Sequence, residues 1–70
     1  MATFGERVKV LRKERGLKQR EMAELLGLNV RSYQYYEYNE GYPEVPGLLF
    51  LADYFGVSLD YLMGRKDERM

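Results

Sequence analysis

An all-α, compact five-helix domain is what this 70-residue sequence predicts. Three observations lead there. Apolar residues recur every three or four positions in short stretches, the spacing of one helical face. Helix-starting residues (Thr3, Asn29, Ser58 and, in a first turn, Pro46) precede those stretches, and glycines at 16, 27, 56 and 64 follow them. No period-two alternation of the kind a half-buried strand shows is present.

The elements follow in order. Thr3-Phe4-Gly5-Glu6 fits a capping box, with Thr3 as N-cap and Glu6 reaching back. Phe4, Val8 and Leu11 then line one face of a first helix that stops at Gly16. Its late bases Lys9, Arg12, Lys13 and Arg15 suit the negative end of the helix dipole. A second helix reads Gln19 to Leu26, with Met22, Ala23, Leu25 and Leu26 turned inward, and ends at Gly27. Asn29 caps a third, from Val30 to about Tyr38. Asn39-Glu40-Gly41-Tyr42-Pro43 reads as a loop. A fourth helix is expected from Leu48 to Phe55, and a short fifth from Ser58 through Met63. Residues 1–64 thus form one domain, and 65–70 a charged C-terminal tail expected to fray.

Composition excludes several functions. Cys and His are both absent, which removes thiolate metal sites, disulfides, and the commonest metal ligand and acid–base catalyst. Asp53, Asp60 and Asp67 are spread as ordinary surface acids, and no glycine-rich phosphate loop occurs. The reading is therefore not an enzyme, with no cofactor, no metal and no small-molecule ligand. No apolar run approaches the roughly 18–20 residues that span a bilayer, and no signal peptide opens the chain, so a cytoplasmic protein is expected. Net charge is zero but unevenly spread. Arg7, Lys9, Arg12, Lys13, Arg15, Lys18, Arg20 and Arg31 outnumber the five acids before residue 39, whereas acids dominate afterwards. A basic working face and an acidic back would account for that division.

Only Gly27, Leu28 and Asn29 join the second and third helices, which is the helix-turn-helix pattern. With Gln19 as its first position, small Ala23 falls at five, where the helices cross closely. Gly27 falls at nine, where the turn needs a left-handed residue, and apolar Met22, Leu26, Leu28 and Tyr36 hold the two helices at a fixed angle.

The runs FGERVKVLRKERGLKQREMAELLG and YFGVSLDYLMG closely resemble the Cro/repressor-type helix-turn-helix family (the XRE family of lambda-repressor-like domains) over residues 4–64. The resemblance implies a bacterial or phage transcriptional regulator, commonly a repressor, that binds a palindromic site on double-stranded DNA as a homodimer. It places helix 30–38 in the major groove. By the same resemblance Val30, Arg31, Gln34 and Tyr35 fall where base edges are touched. Arg31 is the best candidate reader of guanine, Gln34 can pair with adenine, and Val30 can meet a thymine methyl. Lys18, Gln19, Arg20, Asn29, Tyr38, Asn39 and Tyr42 are the candidate phosphate contacts, Gln19 also bracing a recognition-helix side chain. Arg12 and Glu37 match a structural ion pair.

The chain departs from the family pattern in places. Lys18 stands where Thr or Ser usually caps the second helix, Tyr33 where Ile or Val is usual, and Glu40 and Glu44 occupy a loop that often carries bases. The fourth helix has almost no polar face, so Phe50, Tyr54, Tyr61 and Met63 are expected at a subunit interface. The alternative to a DNA-binding regulator is a protein-interaction module, antitoxin-like or an anti-repressor partner, built on the same fold.

The five tyrosines of SYQYYEYNEGYPE divide by helical phase. Tyr33 and Tyr36 should face the core, Tyr35 and Tyr38 should share the outer face with Arg31, and Tyr42 belongs to the loop.

Overall fold

In the computed structural model, which describes residues 2–70, the helices run α1 (Phe4–Glu14), α2 (Gln19–Leu26), α3 (Val30–Glu37), α4 (Val45–Phe55) and α5 (Leu59–Leu62). Residue 1 of the expected domain lies outside the described residues. The capping box at Thr3 forms: Glu6 N donates to Thr3 Oγ1 at 3.3 Å and Thr3 N donates to Glu6 Oε1 at 3.0 Å. Asn29 caps α3 by accepting from Ser32 N, and Ser58 caps α5 by accepting from Tyr61 N. Gly27 takes the left-handed conformation its turn requires, at φ +70°. No helix among the described residues is long and apolar enough to cross a membrane.

Phe4, Val8 and Leu11 of α1 meet Met22 and Ala23 of α2, Tyr33 of α3, Leu51, Ala52 and Phe55 of α4, and Tyr61 and Leu62 of α5 in one core. Leu51 and Leu62 are fully buried, and each such side chain stabilises the fold by about 1.5–3 kcal/mol. That burial is what seats the apolar α4 and the one-turn α5.

The structure corrects four expectations. First, α4 begins at Val45 rather than Leu48, because Pro46 sits in its first turn, where a missing N–H costs nothing. Second, Leu25 does not turn inward and is 43% exposed. The inner stripe of α2 is Met22, Ala23 and Leu26, and Leu25 falls on its flank.

Third, Tyr61 cannot lie on an outer interface, because it is a core residue under the Arg7 guanidinium, whose carbon sits 3.9 Å from the ring centroid. Fourth, the tail folds back instead of fraying. Arg69 grips Glu14 of α1 through two hydrogen bonds, and Asp67 pairs with Arg7 at 3.1 Å. Arg7 and Arg69 both lie against Tyr61, so α1, α5 and the tail share that ring. At Gly64 (φ +80°) the tail passes so close to Ala2 that an added Cβ would lie 2.3 Å from the Ala2 carbonyl oxygen.

Candidate nucleic-acid interface

Three residues of α3 mount it on the domain. Tyr33 is wholly buried, and Tyr36 packs beside it and against Phe4 in edge-on contacts. Glu37 receives Nε and Nη2 of Arg12 at 2.6 and 3.2 Å, so the expected ion pair between α1 and α3 is present and buried. Arg12 also donates through Nη1 to the Leu17 carbonyl at 2.8 Å, tying in the turn that leads to α2.

The Tyr33 hydroxyl donates to Glu37 as well, which explains how this bulkier residue fits where the resembled family has Ile or Val. Burial alone would raise the Glu37 pKa, but the hydrogen bonds from Arg12, Tyr33 and Gln19 outweigh it and hold the carboxyl below the usual range. Burial and the bond to Glu37 push the Tyr33 hydroxyl the other way, well above its ordinary value.

From this buried pair a chain of hydrogen bonds leads outward. Gln19 Nε2 donates to Glu37 Oε1 at 3.1 Å, and Gln34 Nε2 donates to Gln19 Oε1 at 3.0 Å. Gln19 thus braces α3 through Gln34.

Beyond Gln34 the outer face of α3 carries Arg31, Tyr35 and Tyr38, all exposed. Val30 sits half-buried at the start of α3 with part of its side chain against the core.

The candidate phosphate contacts surround this face unevenly. Lys18 and Arg20 are exposed at the start of α2. Lys18 makes no side-chain cap, and only its backbone N–H is satisfied, by Glu21 at 2.8 Å. The start of α2 therefore keeps free amides, a favourable setting for an anion.

Asn29 and Asn39 are exposed, but each spends its side-chain oxygen structurally: Asn29 as the α3 cap, Asn39 by accepting from Gly5 N at 2.9 Å. Asn39 adopts φ +60° to do so. Tyr42 is exposed yet lays its ring against Phe4, 5.5 Å between centroids. Glu40 and Glu44 are exposed in the same loop.

The remaining interface candidates lie elsewhere. Phe50 is 40% exposed and stacks on half-buried Tyr54, with Leu49 also exposed on the same helix. Met63 is half-buried against the core.

Sequence reasoning missed Gly5. A Cβ there would lie 2.5 Å from the Glu37 carbonyl oxygen and 2.7 Å from that of Tyr36, so the backbones of α1 and α3 touch at this point. The signal was available, since a glycine inside a helix is costly unless something approaches closely. Arg7 was missed too, and nothing in its spacing marks it: it is buried, with Nη1 left without a hydrogen-bond partner among the described residues.

Comparison with known proteins places this geometry. A helix-turn-helix domain family model matches residues 5–68. The chain is 38% identical over 60 residues to the SPbeta prophage-derived uncharacterized HTH-type transcriptional regulator YonR of Bacillus subtilis, covering 86% of this chain and 56% of that protein. A transcriptional regulator from Listeria innocua superposes with a TM-score of 0.85 at 41% identity, covering 94% of this chain and 62% of that one. The P22 c2 repressor protein, solved in complex with a synthetic operator, superposes with a TM-score of 0.83 at 26% identity over 94% of this chain and all of that one. The chain thus spans little more than half the length of the curated relative.

Proposed function

Because the chain belongs to the helix-turn-helix family of Cro/C1-type transcriptional regulators, a family of DNA-binding proteins and not of enzymes, we propose that it is a sequence-specific repressor. It binds a palindromic operator as a homodimer, with α3 in the major groove. The observation that carries this reading is the braced, exposed face of α3 on a domain that superposes on an operator-bound repressor.

In this reading Arg31 reads guanine through O6 and N7, while Gln34, Tyr35 and Val30 complete the base contacts. Lys18, Gln19, Arg20 and the free amides of α2 hold one stretch of backbone, and Asn29, Tyr38, Asn39 and Tyr42 supply further phosphate contacts. Phe50 and Tyr54 of α4, with Met63 beside α5, form the subunit contact.

The exposed acids of the α3–α4 loop weaken the nonspecific electrostatic attraction to DNA, so dimerisation and directed hydrogen bonds carry more of the affinity. Selection from random duplex DNA, combined with light scattering, tests the proposal. A two-fold symmetric enriched site and a dimer mass are expected; a monomer that enriches no motif would defeat it.

One observation favours a second reading, the protein-interaction module. A cleft of about 340 Å³ between α2 and α4 has Leu17, Leu25 and Tyr54 on its walls and Glu21 and Glu24 among its lining residues. Salt-dependent retention on DNA separates the two readings, because only phosphate neutralisation makes affinity fall steeply with salt.

A further inference from the structure

Tyr54 is common to two apolar surfaces. On one side it stacks on Phe50, with Leu49 also exposed on that helix. On the other it walls the cleft of about 340 Å³ that Leu17 and exposed Leu25 line with it. Leu25, Tyr54 and Phe50 therefore form one apolar band that crosses from α2 to α4. An exposed apolar band rimmed by charges marks a contact surface for another protein.

The charges along its edges differ in sign. Glu21 and Glu24 stand about one turn apart on α2 and line the cleft. Arg15 lies on the Tyr54 side, its guanidinium carbon 5.3 Å from the ring centroid and its Nη2 3.2 Å from the Tyr54 carbonyl oxygen. None of these three residues has an ionic partner among the described residues. Glu21 gives one oxygen to the Lys18 N–H, which leaves Glu24 the uncommitted acid of the pair.

A surface with an apolar centre, acids on one edge and a base on the other is complementary to itself. A two-fold axis through its centre lays each acidic edge over the arginine of the other copy and each Leu25 against the other Tyr54. That is the arrangement of an isologous interface, apolar in its core and polar at its rim. A different protein would have to supply the matching pattern, whereas a second copy already carries it.

We propose that the occupant of the α2–α4 cleft is a second copy of this chain, with Leu25 as the inserted side chain and Glu24 facing Arg15 of the other copy. The proposal rests on the homodimer reading and deepens it. It carries the subunit contact from Phe50 and Tyr54 across to α2 and adds Leu25, Glu24 and Arg15 to it. Arg31, Tyr35 and Tyr38 do not line the cleft, so the pairing leaves the outer face of α3 open.

The test uses the intact chain without DNA. Light scattering over a concentration series should give a dimer for wild type. Leu25→Glu changes an exposed side chain, so it keeps the helical circular dichroism and gives a monomer mass. Each contact occurs twice about the axis, so an ion pair that contributes about threefold to affinity shows as about tenfold. Glu24→Arg and Arg15→Glu are each expected to raise the dimer dissociation constant by about that tenfold. Combined in one chain they bring it back to within about threefold of wild type.

A dimer that persists in Leu25→Glu but dissociates in Phe50→Glu would overturn the cleft contact while the homodimer stood. A charge-swapped chain no tighter than its single variants would overturn the pairing of Glu24 with Arg15. A monomeric wild type would overturn both the contact and the homodimer, and would leave the cleft to a different protein. A dimer with the expected behaviour that selects no site from random duplex DNA would defeat the operator reading alone.

A second measurement places the contact directly. In a sample mixed from 13C-labelled and unlabelled chains, isotope-filtered NOEs should connect the Leu25 methyl groups of one copy to the Tyr54 ring of the other. Their absence from a dimeric sample would overturn the proposal.

Discussion

Replacing Arg12 by methionine removes a charge but little volume, and it isolates the electrostatic part of the α1–α3 junction. The Arg12 side chain is 9% exposed and that of Glu37 is fully buried. The change takes away two of the four donors to the carboxylate, at 2.6 and 3.2 Å, and the 2.8 Å bond to the Leu17 carbonyl. Breaking one side of a buried pair costs about 3–5 kcal/mol, because the surviving charge stays out of water. At about 0.05–0.15 kcal/mol per residue, a chain of this length has about 3.5–10 kcal/mol in all, so the loss is a large share of it.

Urea unfolding followed by circular dichroism reads the effect. With a slope of about 1 kcal/mol per molar for so small a domain, the midpoint falls by roughly 3 M or more. Adding Glu37→Gln to the same chain removes the stranded charge while keeping an acceptor for Tyr33, and restores at least half the loss.

The pH dependence carries a sign. In the wild type the Glu37 pKa is lowered, so the pair's contribution is present at neutral pH and disappears as pH falls through the folded-state pKa. In Arg12→Met burial is no longer outweighed and raises that pKa, so protonation relieves the variant and its deficit narrows as the solution is acidified. A loss below about 1 kcal/mol, or a deficit unchanged between about pH 7 and pH 4, would refute the reasoning.

Further outcomes are expected elsewhere. Arg31→Ala lowers discrimination at one base pair by about 1–3 kcal/mol in a binding titration; unchanged operator preference would remove Arg31 from the readers. Gly5→Ala drives a methyl group into the Glu37 and Tyr36 carbonyls and destabilises the domain by about 1–3 kcal/mol; an unshifted thermal midpoint would mean that α1 can slide without penalty. Phe50→Glu leaves the helical signal intact and shifts the light-scattering mass to a monomer, whereas a persisting dimer would move the subunit contact away from α4. DNA affinity should fall linearly on a log–log plot against salt, with a slope that Lys18→Ala makes shallower by about one; an unchanged slope would take Lys18 off the backbone.

What the sequence disclosed is what local chemistry decides. Thr3, Asn29 and Ser58 cap helices because their side-chain oxygens reach amides three residues on, a property of the chain within one turn. The burial of Tyr33 and exposure of Tyr35 and Tyr38 follow from helical phase alone. The Arg12–Glu37 pair was legible only through resemblance, since 25 residues separate its members.

The continuation through Gln19 to Gln34 depends on α2 meeting α3, so helical phase gave no hint of it and the bracing role of Gln19 was legible only through resemblance. Tyr61 went astray for a similar reason: an aromatic on a four-residue helix has no reliable phase, and Arg7 and the returning tail decide its surroundings. The tail itself reads as charged and loose, because its partners Glu14 and Arg7 are 50 or more residues away.

The contact at Gly5 is made by main-chain atoms on the α3 side, two carbonyl oxygens that every sequence possesses. Together with inward-facing Tyr33, Tyr36 and Glu37 it secures α3 without calling on positions 31, 35 or 38. Those outer positions can be exchanged wholesale without disturbing the joint, much as a key blank accepts a new cut while its shank still fits the lock. Position 34 is the exception, since its amide is geared to the interior. A library randomised at 31, 35 and 38 should therefore yield folded proteins with altered target preference far more often than one that also randomises 34.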